Sequence, residues 1–64
     1  MTAAERVKAI RQKTGMTQAE FGKKFDIPRR TIENWESGKT APPPYVVKLL
    51  SYVVDHETER GDND

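Results

Sequence analysis

The chain of 64 residues contains no cysteine and only one histidine, His56. It therefore has no disulfide bond, and one histidine without a thiol or a second histidine is not a metal site. No apolar run approaches the roughly 20 residues of a membrane-spanning helix, and the first residues lack the apolar segment of a secretory signal peptide. We expect a cytoplasmic protein without a metal, another cofactor or a membrane partner.

Groups for catalysis are also scarce. No serine or threonine is accompanied by both a base and an orienting acid in a pattern that predicts a catalytic triad. His56 falls at the end of the last predicted helix, where a cation complements the helix dipole. The sequence therefore predicts a protein that is not an enzyme.

The length of the chain and the distribution of its charges restrict the class of protein further. A chain this short forms one domain with a marginal core, so good helix capping, a partner chain or both must help it fold. Residues 1–54 carry ten Lys or Arg against five Asp or Glu, whereas residues 55–64 carry one Arg against five acids. A basic body with an acidic tail is common in nucleic-acid binders, although an ordinary solvated surface gives the same pattern.

Capping residues and helix breakers divide the chain into four predicted helices and indicate no strand. Thr2 with Glu5, and Thr17 with Glu20, have the spacing of capping boxes. Glycine and proline supply the breaks between helices. The predicted helices are residues 3–14, 18–25, 28–37 and 43–55. We therefore predict an all-α domain over residues 1–56 and an acidic, disordered tail over residues 57–64.

The second and third predicted helices are joined by a tight turn. Asp26 stands where the chain reverses, and Pro28 suits the start of a new helix. Ile32 and Trp35 give the third helix its buried stripe. The residues left on its outer face are Arg29, Arg30, Glu33 and Asn34. Two arginines and an amide at the front of a short helix suit the base edges in a DNA major groove.

Two of these residues have more than one interpretation. Glu33 follows Arg29 by four residues and Arg30 by three, so we expect an ion pair within the helix, with contact to a cytosine as the alternative. Trp35 could stack on a base, but its spacing from Ile32 favours the core.

The fourth predicted helix is apolar around about 220° of its circumference. We predict that Val46, Leu49, Leu50 and Val53 face the core, with two apolar flanks beside them. One flank is Tyr45 and Tyr52, and the other is Val47 and Val54. Three short helices cannot cover so wide an arc, so we predict a homodimer interface at Tyr45, Val47, Tyr52 and Val54. The alternative is that these flanks are only half-exposed, which is common.

Over residues 5–55 the chain resembles the lambda-repressor-like helix-turn-helix family, which includes phage repressors, Cro proteins and many bacterial antitoxins. The residues of the resemblance are Arg11, Gly15, Met16, Thr17, Gln18, Glu20, Phe21, Ile27, Thr31, Ile32, Trp35, Glu36, Gly38 and Pro42. The implied fold is a small helix-turn-helix bundle, here with four helices instead of the family's five.

The resemblance implies roles for individual residues. Arg29, Arg30 and Asn34 match base-reading positions. The positions near the DNA backbone are Thr17, Gln18, Thr31, Ser37, Lys39 and Thr40. Arg11 and Glu36 match a pair that forms an internal salt bridge. Two departures matter: Asp26 replaces a glycine common in the turn, and a fifth helix that helps to pair subunits in many relatives is not predicted here.

Together these observations predict a dimeric repressor from a phage, a mobile element or a small bacterial operon, bound to a palindromic double-stranded DNA operator. An antitoxin that binds a toxin and represses its own operon is the alternative. A protein-binding module that has lost DNA binding is a third interpretation, and the exposed Arg29 and Arg30 argue against it.

Overall fold

Four helices make up the part of the chain that the structure describes. The computed structural model describes the backbone of residues 1–61 and the side chains of residues 1–58. The helices are α1 (Ala3–Thr14), α2 (Gln18–Phe25), α3 (Arg29–Ser37) and α4 (Pro44–Gly61). No strand occurs among these residues. The predicted all-α fold with four helices is therefore confirmed.

Both predicted capping boxes are present. The Thr2 hydroxyl accepts a 3.1 Å hydrogen bond from the backbone N–H of Glu5, whose carboxylate accepts one of 2.8 Å from the N–H of Thr2. The hydrogen bond from the Thr2 backbone is the largest cause of a lowered pKa at Glu5, and a hydrogen bond with the Thr2 hydroxyl lowers that pKa further. Thr17 and Glu20 form the same two bonds at 3.1 and 2.9 Å. Local side chains therefore define where α1 and α2 begin.

The core lies where α1 meets α3 and α4, and α2 packs against α3. Seven hydrophobic residues are buried there: Val7, Ile10, Phe21, Ile32, Val47, Leu50 and Val54. Phe25, Ile27 and Trp35 are partly buried against this cluster. Trp35 thus packs against the core as expected, but it lies at the edge of the core and is only partly buried.

The face that α4 turns to the core differs from the expected one. Val47 and Val54 are 3% and 1% exposed, whereas Leu49 is 58% exposed. The buried stripe is therefore displaced by about one residue, or about 100° around the helix. The assignment of Val47 and Val54 to a dimer interface is wrong, because both side chains are buried in the hydrophobic core.

Helix α4 is also longer than predicted. It continues to Gly61 and does not end near Asp55. Its later turns are attached to the bundle, because Asp55 pairs with Lys13 of α1 and Glu57 lies 3.0 Å from Lys24 of α2. Residues 57–61 are thus helical instead of a disordered tail, and the predicted tail residues 62–64 lie outside the described residues.

The described part of the chain contains neither a candidate membrane span nor a candidate metal site. None of its helices is both long enough and apolar enough to cross a membrane. It also contains no group of three or more His, Cys, Asp or Glu placed to hold a metal ion.

Candidate nucleic-acid interface

A very close turn connects α2 to α3. Asp26 adopts the left-handed conformation (φ 61°), and the backbone N–H of Ile27 donates a 2.8 Å hydrogen bond to the carbonyl of Gly22. A Cβ atom on Gly22 would lie only 2.5 Å from the carbonyl oxygen of Ile27. Glycine at position 22 therefore permits the backbone approach that sets α3 across α2.

Helix α3 separates a buried face from an exposed charged one. Ile32 is fully buried and Trp35 partly so, whereas Arg29 and Arg30 in the first turn are exposed. Glu33 is exposed and Asn34 is half-buried one turn later. The structure thus brings together the four predicted base-reading residues on and beside one outer surface of α3.

The first turn of α3 is strongly electropositive. It contains both arginines and no acidic residue, and the positive end of the helix dipole adds to their charge. Arg29 Nε lies 3.3 Å from Glu33 Oε2, in the expected ion pair. Arg30 forms no ion pair within the described residues. Such a helix end attracts a polyanion.

An ion pair beneath α3 holds it against α1. Arg11 Nε lies 2.7 Å from Glu36 Oε2, and Arg11 Nη2 lies 3.0 Å from Glu36 Oε1. The two side chains are 16% and 5% exposed. Arg11 Nη1 also donates a 2.9 Å hydrogen bond to the carbonyl of Met16, in the loop before α2. The predicted pair therefore joins three parts of the fold.

The pair shifts the pKa values of both partners. Burial by itself would raise the pKa of Glu36. Hydrogen bonds from Arg11 and Gln18, with the charges of Arg11 and Lys8, outweigh burial and lower it. The hydrogen bond to Glu36 is the largest cause of a raised pKa at Arg11. Both groups are thus held in their charged forms.

Gln18 is tied to this pair. Its Nε2 donates a 3.1 Å hydrogen bond to Glu36 Oε1, so the side chain at the start of α2 is fixed against α3. The neighbouring Thr17 hydroxyl accepts the capping bond from Glu20. Both residues stand where α2 begins, and backbone N–H groups at a helix start favour anions.

The predicted backbone-contact residues Ser37, Lys39 and Thr40 cluster at the other end of α3. The Ser37 hydroxyl and the backbone N–H groups of Lys39 and Thr40 all donate hydrogen bonds to the carbonyl of Asn34, at 3.1, 2.9 and 3.3 Å. Gly38 adopts φ 83° to end the helix there. All three side chains are exposed, whereas Thr31, in the first turn of α3, is half-buried.

Sequence reasoning missed two contributors to this arrangement. The Met16 carbonyl accepts a hydrogen bond from Arg11, and Lys8 adds a positive charge near Glu36. A backbone carbonyl carries no sequence signal. The positive charge of Lys8 three residues before Arg11 was the one available indication, since i and i+3 residues share a helix face.

Comparison with known proteins agrees with this geometry. A family model described as helix-turn-helix matches residues 7–52, from α1 into α4. The chain belongs to the lambda-repressor-like helix-turn-helix family. Members of this family are typically DNA-binding regulators.

The chain is also similar in sequence to a curated protein. The chain is 33% identical over 52 residues to Antitoxin HigA-2 of Vibrio cholerae serotype O1 (strain ATCC 39315 / El Tor Inaba N16961). The match covers 81% of this chain and 50% of that protein, so the chain spans about half the length of the relative. No solved structure matches the chain.

Proposed function

We propose that this helix-turn-helix protein is a sequence-specific repressor of transcription that places α3 in the major groove of DNA. The observation that supports this most is the pair of exposed arginines in the first turn of α3, opposite the buried Ile32. A helix fits the major groove, and its N-terminal residues then meet the base edges.

The outer residues of α3 suggest what is read. Arginine hydrogen-bonds guanine O6 and N7, and asparagine hydrogen-bonds adenine N6 and N7. Arg29 and Arg30 therefore favour at least one G in each half-site, and Asn34 favours an A. Glu33 mainly orients Arg29, given the 3.3 Å ion pair between them.

Phosphate contacts come from the ends of α2 and α3. The set is Thr17, Gln18, Thr31, Ser37, Lys39 and Thr40. Short polar side chains and helix starts position a protein on the phosphates without reading sequence. The pair Arg11–Glu36 supports these contacts indirectly, because it fixes α3 relative to α2 through Gln18.

The working unit is a homodimer on a palindromic operator. One copy offers a single recognition helix and few phosphate contacts, which gives weak binding that falls steeply with salt. Two copies related by a two-fold axis reach half-sites about 10 base pairs apart in successive major grooves. A repressor bound there blocks RNA polymerase in the cytoplasm by occupying the promoter.

Selection of bound sequences from random DNA tests this function. We expect a motif with two symmetric half-sites that each contain a G. Arg29→Ala or Arg30→Ala should cost about 1–3 kcal/mol of binding free energy and relax the preference at one position. Arg6→Ala, which removes the same charge from an exposed position on α1, is the control. The absence of any enriched motif, or full affinity and an unchanged motif in both α3 variants, would overturn the proposal.

The named relative favours a second candidate function. Antitoxin HigA-2 is 33% identical over 81% of this chain, and an antitoxin of this type would bind a toxin as well as DNA. Expression of the neighbouring gene decides between the two functions. If that gene arrests growth and co-expression of this chain restores it, the antitoxin function stands; if the gene is harmless alone, it fails.

A further inference from the structure

Four uncharged or aromatic residues form an exposed seam along α4: Tyr45, Leu49, Tyr52 and His56. Tyr45 and Tyr52 are each 66% exposed, Leu49 is 58% exposed, and His56 is exposed. The rings of Tyr52 and His56 stack with centroids 5.4 Å apart. Successive spacings of four, three and four residues are those of core positions in a helix pair.

The seam borders an open apolar groove of about 300 Å³ between α4 and the helix-turn-helix. Phe25, Ile27 and Trp35 line one side of this groove, and Val46, Leu49 and Val53 line the other. The seam and the groove together form one continuous apolar surface. A surface of this kind on a small protein marks an interaction site.

We propose that a second copy of this chain covers the seam, with the two α4 helices antiparallel around a two-fold axis between Leu49 and Tyr52. In this register Leu49 faces the partner's Tyr52, and Tyr45 faces the partner's His56. The inference rests on the homodimer of the proposed function and adds the face, orientation and register of its interface. A two-fold axis makes each contact occur twice. The seam allows this, because Leu49 of each copy faces Tyr52 of the other and Tyr45 of each copy faces His56 of the other.

Charge on one flank of the seam favours the antiparallel orientation. Lys48 and Asp55, seven residues apart, lie on the same side of α4. Reversing the second helix places Lys48 opposite the partner's Asp55, and the two-fold axis repeats this attraction. Asp55 already pairs with Lys13, yet 45% of its side chain stays exposed. A parallel pair would instead set Lys48 beside the partner's Val53.

The other flank of the seam is apolar between residues 46 and 53. Val46 and Val53 lie there, and both line the groove. An antiparallel partner sets Val46 opposite the partner's Val53, so two valine contacts extend the seam toward Trp35 and Phe25. One flank thus pairs opposite charges while the other buries hydrocarbon, which fixes the register as well as the orientation.

The available area is of the right order for a dimer. The 18 residues of α4 span about 27 Å. The exposed parts of Tyr45 and Tyr52 offer together roughly 250 Å². That is about a third of the 800 Å² that each partner of a standard interface buries. Leu49 and the groove lie next to the tyrosines and extend this area.

The seam leaves the DNA surface free. Trp35 lines the groove, whereas Arg30, five residues earlier, lies about 140° away around α3. A copy on the seam therefore contacts the rear of the recognition helix and not its arginines. The dimer and its DNA complex are compatible.

Sedimentation of the full chain without DNA tests the face. At micromolar protein we expect wild type to be a dimer and Leu49→Glu and Tyr52→Glu to be monomers with unchanged helical circular dichroism. Gln12→Glu, which makes the same charge change at an exposed position on α1, should remain a dimer. A wild-type monomer that still selects a DNA motif would overturn the seam and leave the sequence-specific DNA recognition of the proposed function intact. A wild-type dimer that selects no DNA motif would support the seam and overturn the proposed function.

Cross-linking tests the register, because the chain has no cysteine of its own. Leu49→Cys chains mixed with Tyr52→Cys chains and oxidised should give mainly the mixed disulfide dimer, which mass spectrometry distinguishes from the two homodimers. Each variant alone should cross-link several-fold less. A predominance of either homodimer in the mixture, or a Leu49→Glu variant that remains dimeric, would overturn the proposed interface.

Discussion

Arg11 and Glu36 lie on different helices, α1 and α3, and their side chains meet in two hydrogen bonds of 2.7 and 3.0 Å. Glu36 immediately follows Trp35 on the helix that presents Arg29 and Arg30 outward. The pair therefore fixes the rotation of the recognition helix from its inner side. Gln18, bonded to the same Glu36 oxygen as Arg11 Nη2, fixes α2 at the same point.

Replacing Arg11 by methionine should destabilise the domain by about 2–3 kcal/mol. The variant leaves the Glu36 carboxylate, 5% exposed, without its main positive partner. In so small a protein this is a large share of the free energy of unfolding. Thermal unfolding of Arg11→Met beside Arg6→Met, an exposed control on α1, measures it. Equal thermal unfolding midpoints for the two variants would show that the Arg11–Glu36 pair does not stabilise the fold.

The lowered pKa of Glu36 predicts acid sensitivity. A carboxylate whose folded pKa lies below its usual value near 4.5 stabilises the fold above that pH. This stabilisation is lost as the pH falls through the folded pKa. Glu36→Gln should therefore be less stable than wild type at neutral pH, and the difference should shrink in acid. Denaturant unfolding at about pH 7 and about pH 3 compares the two. A pH-independent difference contradicts this assignment.

The helix-turn-helix could be predicted closely because its determinants are local. Thr17 and Glu20 bond each other across one turn, and Asp26 and Pro28 mark the break between two helices. The four outer residues of α3 then follow from helical geometry and the burial of Ile32. Roles at DNA came from the exposed charges of α3 and from the family resemblance, and they remain predictions for every residue.

The orientation of α4 could not be predicted from periodicity. Its apolar arc is wider than any single contact, so several stripes fit the pattern equally well. Packing against α1 selects Val47, Leu50 and Val54 and leaves Leu49 outside. The later turns of the helix contact the bundle through long-range ion pairs, such as Lys24 with Glu57, and such pairs leave no local sequence pattern.

Truncation of neighbouring valines on α4 should reveal which one lies in the core. Val54 is 1% exposed, so Val54→Ala leaves a cavity and should cost about 2 kcal/mol. Val53 is half-buried, and Val53→Ala should cost less than about 1 kcal/mol. Urea unfolding at low protein concentration, where a dimer contact does not contribute, measures both. Equal losses would contradict the orientation of α4.

Gly22→Ala should distort the turn between α2 and α3. The added methyl group would lie 2.5 Å from the backbone oxygen of Ile27, and a backbone atom cannot move away as a flexible side chain can. We expect a loss of about 1–3 kcal/mol in unfolding free energy and weaker DNA binding, since α3 must shift. Lys23→Ala, at the exposed next position, is the control for stability. A Gly22→Ala midpoint equal to that of the control would show that the turn relaxes freely.

Glu33→Gln distinguishes an orienting role from direct reading of cytosine. Glu33 and Arg29 are both largely exposed and 3.3 Å apart, so the pair itself contributes only about 0.3–0.5 kcal/mol to stability. Near DNA the carboxylate repels phosphates, so its neutralisation should raise affinity for the selected site about two- to fivefold. The preferred bases should stay the same if Glu33 only orients Arg29. Binding isotherms at fixed salt, with a repeated selection, test both points. Loss of a C preference at one position would instead assign Glu33 to that base, because glutamine does not reproduce the carboxylate's acceptance of a hydrogen bond from cytosine N4.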